Sequence, residues 1–102
     1  MTQQRITESF LEAVCLRINR AIGMPHAPYE KKGDRHVAQI GNYHISHAYG
    51  GVCLHRMHNA GGGVSDVFGC GHVTKRELAD RMFAFLKGVE AGCEMMAQTE
   101  AA

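Results

Sequence analysis

The feature that most limits what this chain can fold into is the run Val73-Thr74-Lys75-Arg76-Glu77-Leu78. Thr74 and Glu77 have capping-box spacing, and Val73 and Leu78 flank them as a hydrophobic staple, so a helix must begin there. Behind it, Leu78, Ala79, Met82, Phe83, Phe85, Leu86 and Val89 recur at helical spacing on one side, with Glu77, Asp80, Arg81 and Lys87 opposite. Gly88 and Gly92 each weaken a helix by about 1 kcal/mol relative to alanine, which predicts loosening past Val89 and a frayed tail to Ala102. A stripe this wide has to be buried, so the rest of the chain must supply a surface for it.

A second stripe lies near the beginning. Thr7 is placed to cap a helix, with Ile6 and Leu11 as its staple. Ile6, Phe10, Leu11, Val14, Cys15, Ile18, Ala21 and Ile22 share one side; Glu8, Glu12, Asn19 and Arg20 take the other. Gly23 and Pro25 end the helix near residue 22. Met24 to Arg35 holds two prolines, a glycine and the run Glu30-Lys31-Lys32-Gly33-Asp34-Arg35, which predicts an exposed connection. His36 to Ala48 predicts one strand bulged at Gly41. Gly50-Gly51 turns it into a strand over Val52 to His58, and Asn59 to Gly63 turns that into a third over Val64 to Phe68.

The expected class is therefore α+β, in the order α-β-β-β-α, with a three-stranded antiparallel meander and both helices on one face. The chain's 102 residues suit a single domain, with an ordered core over about residues 6–90. If Ile45, Val52 and Leu54 face the helices, then Cys53, His55 and Met57 face outward on an open side of the sheet.

Eleven basic and ten acidic side chains leave a formal charge of +1, so attraction to nucleic acid would have to come from a local patch. No apolar run approaches the ~20 residues of a membrane span, and the first residues lack the apolar stretch of a secretory signal, which predicts a cytoplasmic protein. On that reading Cys15, Cys53, Cys70 and Cys93 are reduced thiols.

Seven histidines invite a metal hypothesis, above all His44, His47, His55, His58, Cys70 and His72. His44 and His47 are three apart, as are His55 and His58, and an odd separation on a strand sends side chains to opposite faces. Solvated or packed histidines are the default, with no metal and no cofactor. Cys53 or Cys70 beside a histidine would make a thiolate nucleophile, but Asp66 is the one carboxylate between Gly41 and Gly71, and no triad is evident. The glycine clusters read as tight turns, except that Gly69-Cys70-Gly71 leads into a helix start beside Lys75 and Arg76, a candidate anion site.

That segment and the order of elements resemble the double-stranded RNA-binding domain, whose second helix opens with a lysine-lysine-x-alanine run; Lys75, Arg76 and Ala79 fall roughly at those places, the alanine one residue later. The resemblance implies phosphate contact at the start of the second helix, with the Tyr49-Gly50-Gly51 turn in place of the loop that reaches the minor groove. Tyr49, Gly50, Gly51, Leu54, Arg56, Asn59, Gly61, Gly62, Gly63 and Val64 resemble a second pattern. It is that of small phage- and prophage-encoded proteins, and it implies an accessory protein without attaching an activity.

Taken together, the expectation is a small non-enzymatic binding protein that acts through protein contacts at Cys53, His55 and Met57, with self-association as a homodimer there. The alternative is a nucleic-acid-binding module in which Lys31, Lys32, Arg35, Lys75 and Arg76 form one basic edge. A third reading places metal-dependent chemistry around His55, Cys70 and His72.

Overall fold

Thr7 caps the first helix as its sequence requires: its hydroxyl accepts the Phe10 amide at 3.2 Å, and α1 runs Glu8–Ala21. In the computed structural model, which describes residues 5–101, two antiparallel sheets follow. The first pairs β1 (Tyr29–Lys32) with β2 (Arg35–Ala38); the second is the meander β3 (Tyr43–Ala48), β4 (Gly51–Met57) and β5 (Val64–Asp66). Thr74 then accepts the Glu77 amide at 3.2 Å and opens α2 (Lys75–Ala101). The α+β class and the meander are as expected.

Two stretches differ from the sequence reading. The expected loop over Met24 to Arg35 contains half of a hairpin, turned by Gly33 and Asp34 between the facing residues Lys32 and Arg35. Gly33 supplies the left-handed φ of +64° that a two-residue hairpin turn needs. Because most of this hairpin is exposed, it lacks the apolar alternation by which strands are read. The single bulged strand over His36 to Ala48 is two strands in different sheets, parted by the turn Gln39–Asn42, with Gly41 at φ +95°.

Both helices pack on the same side of the meander. Leu11, Val14, Cys15 and Ile18 of α1 and Leu78, Ala79, Met82 and Leu86 of α2 form one core with Val52 and Leu54, and Tyr43 and Ile45 pack against it. At about 25 cal/mol per Å² of apolar surface, each fully buried Leu or Ile contributes about 2 kcal/mol. The helices run parallel: Phe10 meets Phe83 at 5.5 Å, Arg17 meets Glu90 at 3.0 Å, and the Cys93 thiol donates to the Ala21 carbonyl at 3.3 Å, a near-constant sequence offset between the two helices.

Asn19 does not lie on the polar face. It is fully buried, its Nδ2 donating to the Tyr43 carbonyl and its Oδ1 accepting the Tyr43 amide, both at 2.9 Å, so it fastens α1 to the free edge of β3 like one residue of a further strand. Asn42 is equally buried and donates to the Pro25 and His26 carbonyls at 2.7 and 2.9 Å, which holds the chain between α1 and β1 against the start of β3.

The end of α2 also departs from expectation. Instead of fraying past Val89 it continues as helix to Ala101, and its packing on α1 reaches as far as Cys93. Residues 94–101 extend beyond, with Met95 and Met96 each 67% exposed. Among the described residues no helix is long and apolar enough to cross a membrane.

Candidate functional site

The chemistry-bearing side chains gather on the side of the meander away from the helices, and the β3–β4 turn is what aligns them. Ala48 pairs with Gly51, so the turn is Tyr49-Gly50, not Gly50-Gly51. Both residues have left-handed φ, +54° and +72°, as a type I′ hairpin requires. Moving the turn by one residue moves the cross-strand partners by two. His44 consequently faces His55, and Ser46 faces Cys53.

Gly51 is glycine for a different reason. A Cβ there would lie 2.9 Å from the Val73 carbonyl oxygen, because the segment before α2 crosses this point and bonds Val52 through both backbone groups at 2.8 and 2.9 Å. That crossing places His72 on the reverse face. Its Nε2 is 3.1 Å from Ser46 Oγ, and its ring lies 5.9 Å from His55 and 5.8 Å from Tyr49. His44 adds a further edge-on contact to His55 at 5.9 Å. Tyr49, His72, His55 and His44 thus form a continuous row of rings.

The row is held from beneath by Asp66, which faces His55 from β5. Its carboxylate accepts the amides of Phe68, Gly69 and Gly71 at 3.3, 3.0 and 2.8 Å, tying down the turn that leads to His72. Burial would raise its pKa, but the bonds from Gly71, the Cys53 thiol, Gly69 and Phe68 outweigh that and hold it below the usual carboxylate range. Burial, followed by the neighbouring His55, lowers His44 against an opposing pull from Glu12. Burial and then His72 lower His55 against Asp66. Both imidazoles therefore favour the neutral form. Burial, with Asp66 close by, pushes the Cys53 thiol up to about 12, and burial with Glu12 does the same for Cys15. Neither is a thiolate nucleophile at neutral pH.

Of the residues expected to form an open contact surface, His55 is half-buried in the row, whereas Cys53 and Met57 are each 1% exposed. They do face away from the helices; the error lies in supposing that side uncovered. The Asp66-anchored turn lies over Cys53. The turn Gln39–Asn42 closes on Met57 through Gly41 N to Met57 O at 2.9 Å and Met57 N to Asn42 O at 2.8 Å. The neighbouring hairpin β1–β2 reaches the same end of the meander, where a Cβ on Gly62 would meet the Tyr29 hydroxyl at 2.7 Å.

The six groups weighed for a metal do not converge. His47 faces the helices and bonds Glu8 at 3.3 Å, His58 lies exposed beyond β4, and Cys70 points its thiol at the Gly71 carbonyl, 3.6 Å away. Among the described residues no three His, Cys, Asp or Glu side chains are arranged to hold a metal ion.

The expected basic edge is divided. Lys31, Lys32 and Arg35 are exposed on the β1–β2 hairpin, which joins the meander where β3 begins. Lys75 lies where β3 ends, in a cleft lined by Glu8, His47, Gly50, Gly51 and Val73, 4.0 Å from Glu8; Arg76 follows it in the first turn of α2. The length of β3, about 20 Å at 3.3 Å per residue, separates the two groups. The candidate anion site at Gly69 to Gly71 has two of its amides on Asp66 already.

The sequence points to Tyr49, His44, His55 and His72 separately, but not to Ser46 or to the row they form. The readable signal was the Tyr-Gly turn, since placing it correctly sets His44 against His55. Compared with family models, curated proteins and solved structures, the chain matches none, so the reading of the site rests on its own geometry.

Proposed function

We propose that this is a non-enzymatic binding protein whose contact surface is the reverse side of the meander, with Tyr49 as its leading residue. The observation that carries the reading is Tyr49 itself: it is 99% exposed and held at φ +54°, a conformation unfavourable for a bulky side chain. A ring this exposed gains the monomer little beyond its edge-on contact with His72. A hairpin tip that presents tyrosine above a row of imidazoles offers a partner large, amphipathic contacts at low entropic cost.

Two of the groups able to do chemistry on this face are committed elsewhere, which supports binding over catalysis. Asp66 is occupied by backbone amides, and Cys53 is buried with a raised pKa. The partner is a protein, in keeping with the accessory role implied by the phage-like run from Tyr49 to Val64.

The test is affinity capture from a lysate of the source cell with wild-type protein, Tyr49→Asn, and Lys31→Ala as a surface control. A protein retained by wild type and Lys31→Ala but lost with Tyr49→Asn is the expected result. Equal retention by all three would refute the assignment.

A further inference from the structure

Gly50 and Gly51 leave the chain without side chains next to the place where both helices begin, and a cleft of about 380 Å³ lies there. That volume falls within the roughly 300–1,000 Å³ of small-ligand sites. Ala48, Val52 and Val73 give the lining apolar surface, while Glu8, His47 and Lys75 give it charge. The charged groups are unequally satisfied. Glu8 Oε1 lies 3.3 Å from His47 Nε2, within hydrogen-bond reach, but 4.0 Å from Lys75 Nζ, beyond it. An ammonium carries three N–H donors, and among the described residues that long contact with Glu8 is the one polar contact of the Lys75 side chain.

We infer that this cleft binds a small organic monocarboxylate, on the helix side of the meander and independently of the surface around Tyr49. The carboxylate of the ligand accepts hydrogen bonds from the Lys75 ammonium, and the apolar remainder lies against Ala48, Val52 and Val73. Glu8 is the internal competitor for that ammonium. Its shorter bond to His47 draws it aside and leaves the Lys75 donors to the ligand.

The charge of the ligand follows from the balance around the cleft. Lys75 and Glu8 cancel formally, and the two parallel helices, whose first residues are these same two, each add about half a positive charge. The sum, about one positive charge, matches a monoanion. A bare dianion such as phosphate would be left with negative charge beside Glu8, and it has no apolar body to set against the two valines and Ala48.

Amide NMR titrations of the full chain near neutral pH test this with benzoate and hexanoate, a flat and a flexible body on the same carboxylate. Benzyl alcohol and inorganic phosphate serve as probes lacking the charge and the apolar body. At least one carboxylate should shift the amides of Gly50, Gly51, Val73 and Lys75, with the other two probes weaker by about tenfold or more. Lys75→Ala should weaken binding at least about tenfold, the usual loss of a charge-assisted hydrogen bond. Glu8→Gln should tighten it about fivefold, the effect of one unit charge some 4 Å away in water-like surroundings. Tighter binding cannot come from a damaged fold, and the spectrum of each variant confirms that it is folded. Cleft amides that do not move with either carboxylate at about 20 mM, well above a 1 mM Kd, would overturn the inference. So would binding indifferent to Lys75→Ala, equal binding of benzyl alcohol or phosphate, or weaker binding by Glu8→Gln, which would make Glu8 a contact for a ligand that carries an ammonium.

Discussion

Replacing Tyr49 with asparagine should make the protein more stable while removing the residue proposed to meet its partner. Holding a bulky residue in the left-handed region costs about 1–2 kcal/mol, and asparagine is among the few side chains that tolerate it. The substitution also creates Asn-Gly, the pair most favoured in a type I′ turn. Against this stands the ring contact with His72 at 5.8 Å, worth about 0.5 kcal/mol at an exposed position. With Tyr49 99% exposed, no buried area is forfeited. The net gain is about 0.5–1.5 kcal/mol, or a rise in Tm of roughly 2–7 °C for a domain of this size. Urea unfolding followed by circular dichroism, at one fixed protein concentration, should show a higher midpoint at unchanged slope. Tyr49→Ala, which loses the ring contact without gaining asparagine's tolerance, should fall about 0.5 kcal/mol below wild type. If Tyr49→Asn is instead destabilised by 1 kcal/mol or more, the ring supports the fold, and its exposure says nothing about a partner.

Three further outcomes follow from the packing. His44 and His55 have lowered pKa values, so between those values and 6.5 the unfolded chain binds more protons; stability is complete above pH 6.5 and falls as the solution is acidified below it. Urea midpoints between pH 7.5 and 5 should decline for wild type and flatten in His44→Gln with His55→Gln; a flat wild-type profile would contradict the shifts. Native protein at pH 8 should react with a thiol reagent fastest at exposed Cys93 and then at Cys70, while Cys15 and Cys53, raised to about 12, react only on unfolding; mass mapping reads the order. Asn19→Leu should cost about 2–5 kcal/mol in a urea melt by stranding both backbone groups of Tyr43, and a loss below 1 kcal/mol would show that water replaces the amide.

Both helices and the meander were legible because their signals are local. Thr7, Thr74 and Glu77 announce helix starts, and wide apolar stripes such as Leu78 to Leu86 have one use. The β1–β2 hairpin was missed because nothing in Tyr29 to Arg35 alternates between buried and exposed. Asn19 was assigned to solvent on polarity, though its two hydrogen bonds to Tyr43 come from residues distant in the chain. The burial of Cys53 and Met57 depends on the 39–42 and 66–72 turns doubling back, which no periodicity encodes. The ring row was one residue from legibility: with the turn at Tyr49-Gly50, His44 faces His55 directly.

The parallel arrangement of α1 and α2 governs the order in which this protein can assemble. The side-chain pairs between them join residues far apart in the chain, such as Arg17 with Glu90, so the part of α1 that meets α2 stays bare until α2 has been made. The β3–β4 hairpin can close early on neighbouring residues, but burial of the first helix must wait for the last, and long-range closure of that kind is slow. A chain cut short before residue 75 would therefore keep Leu11, Val14 and Ile18 in water, a sticky fragment instead of a smaller working domain.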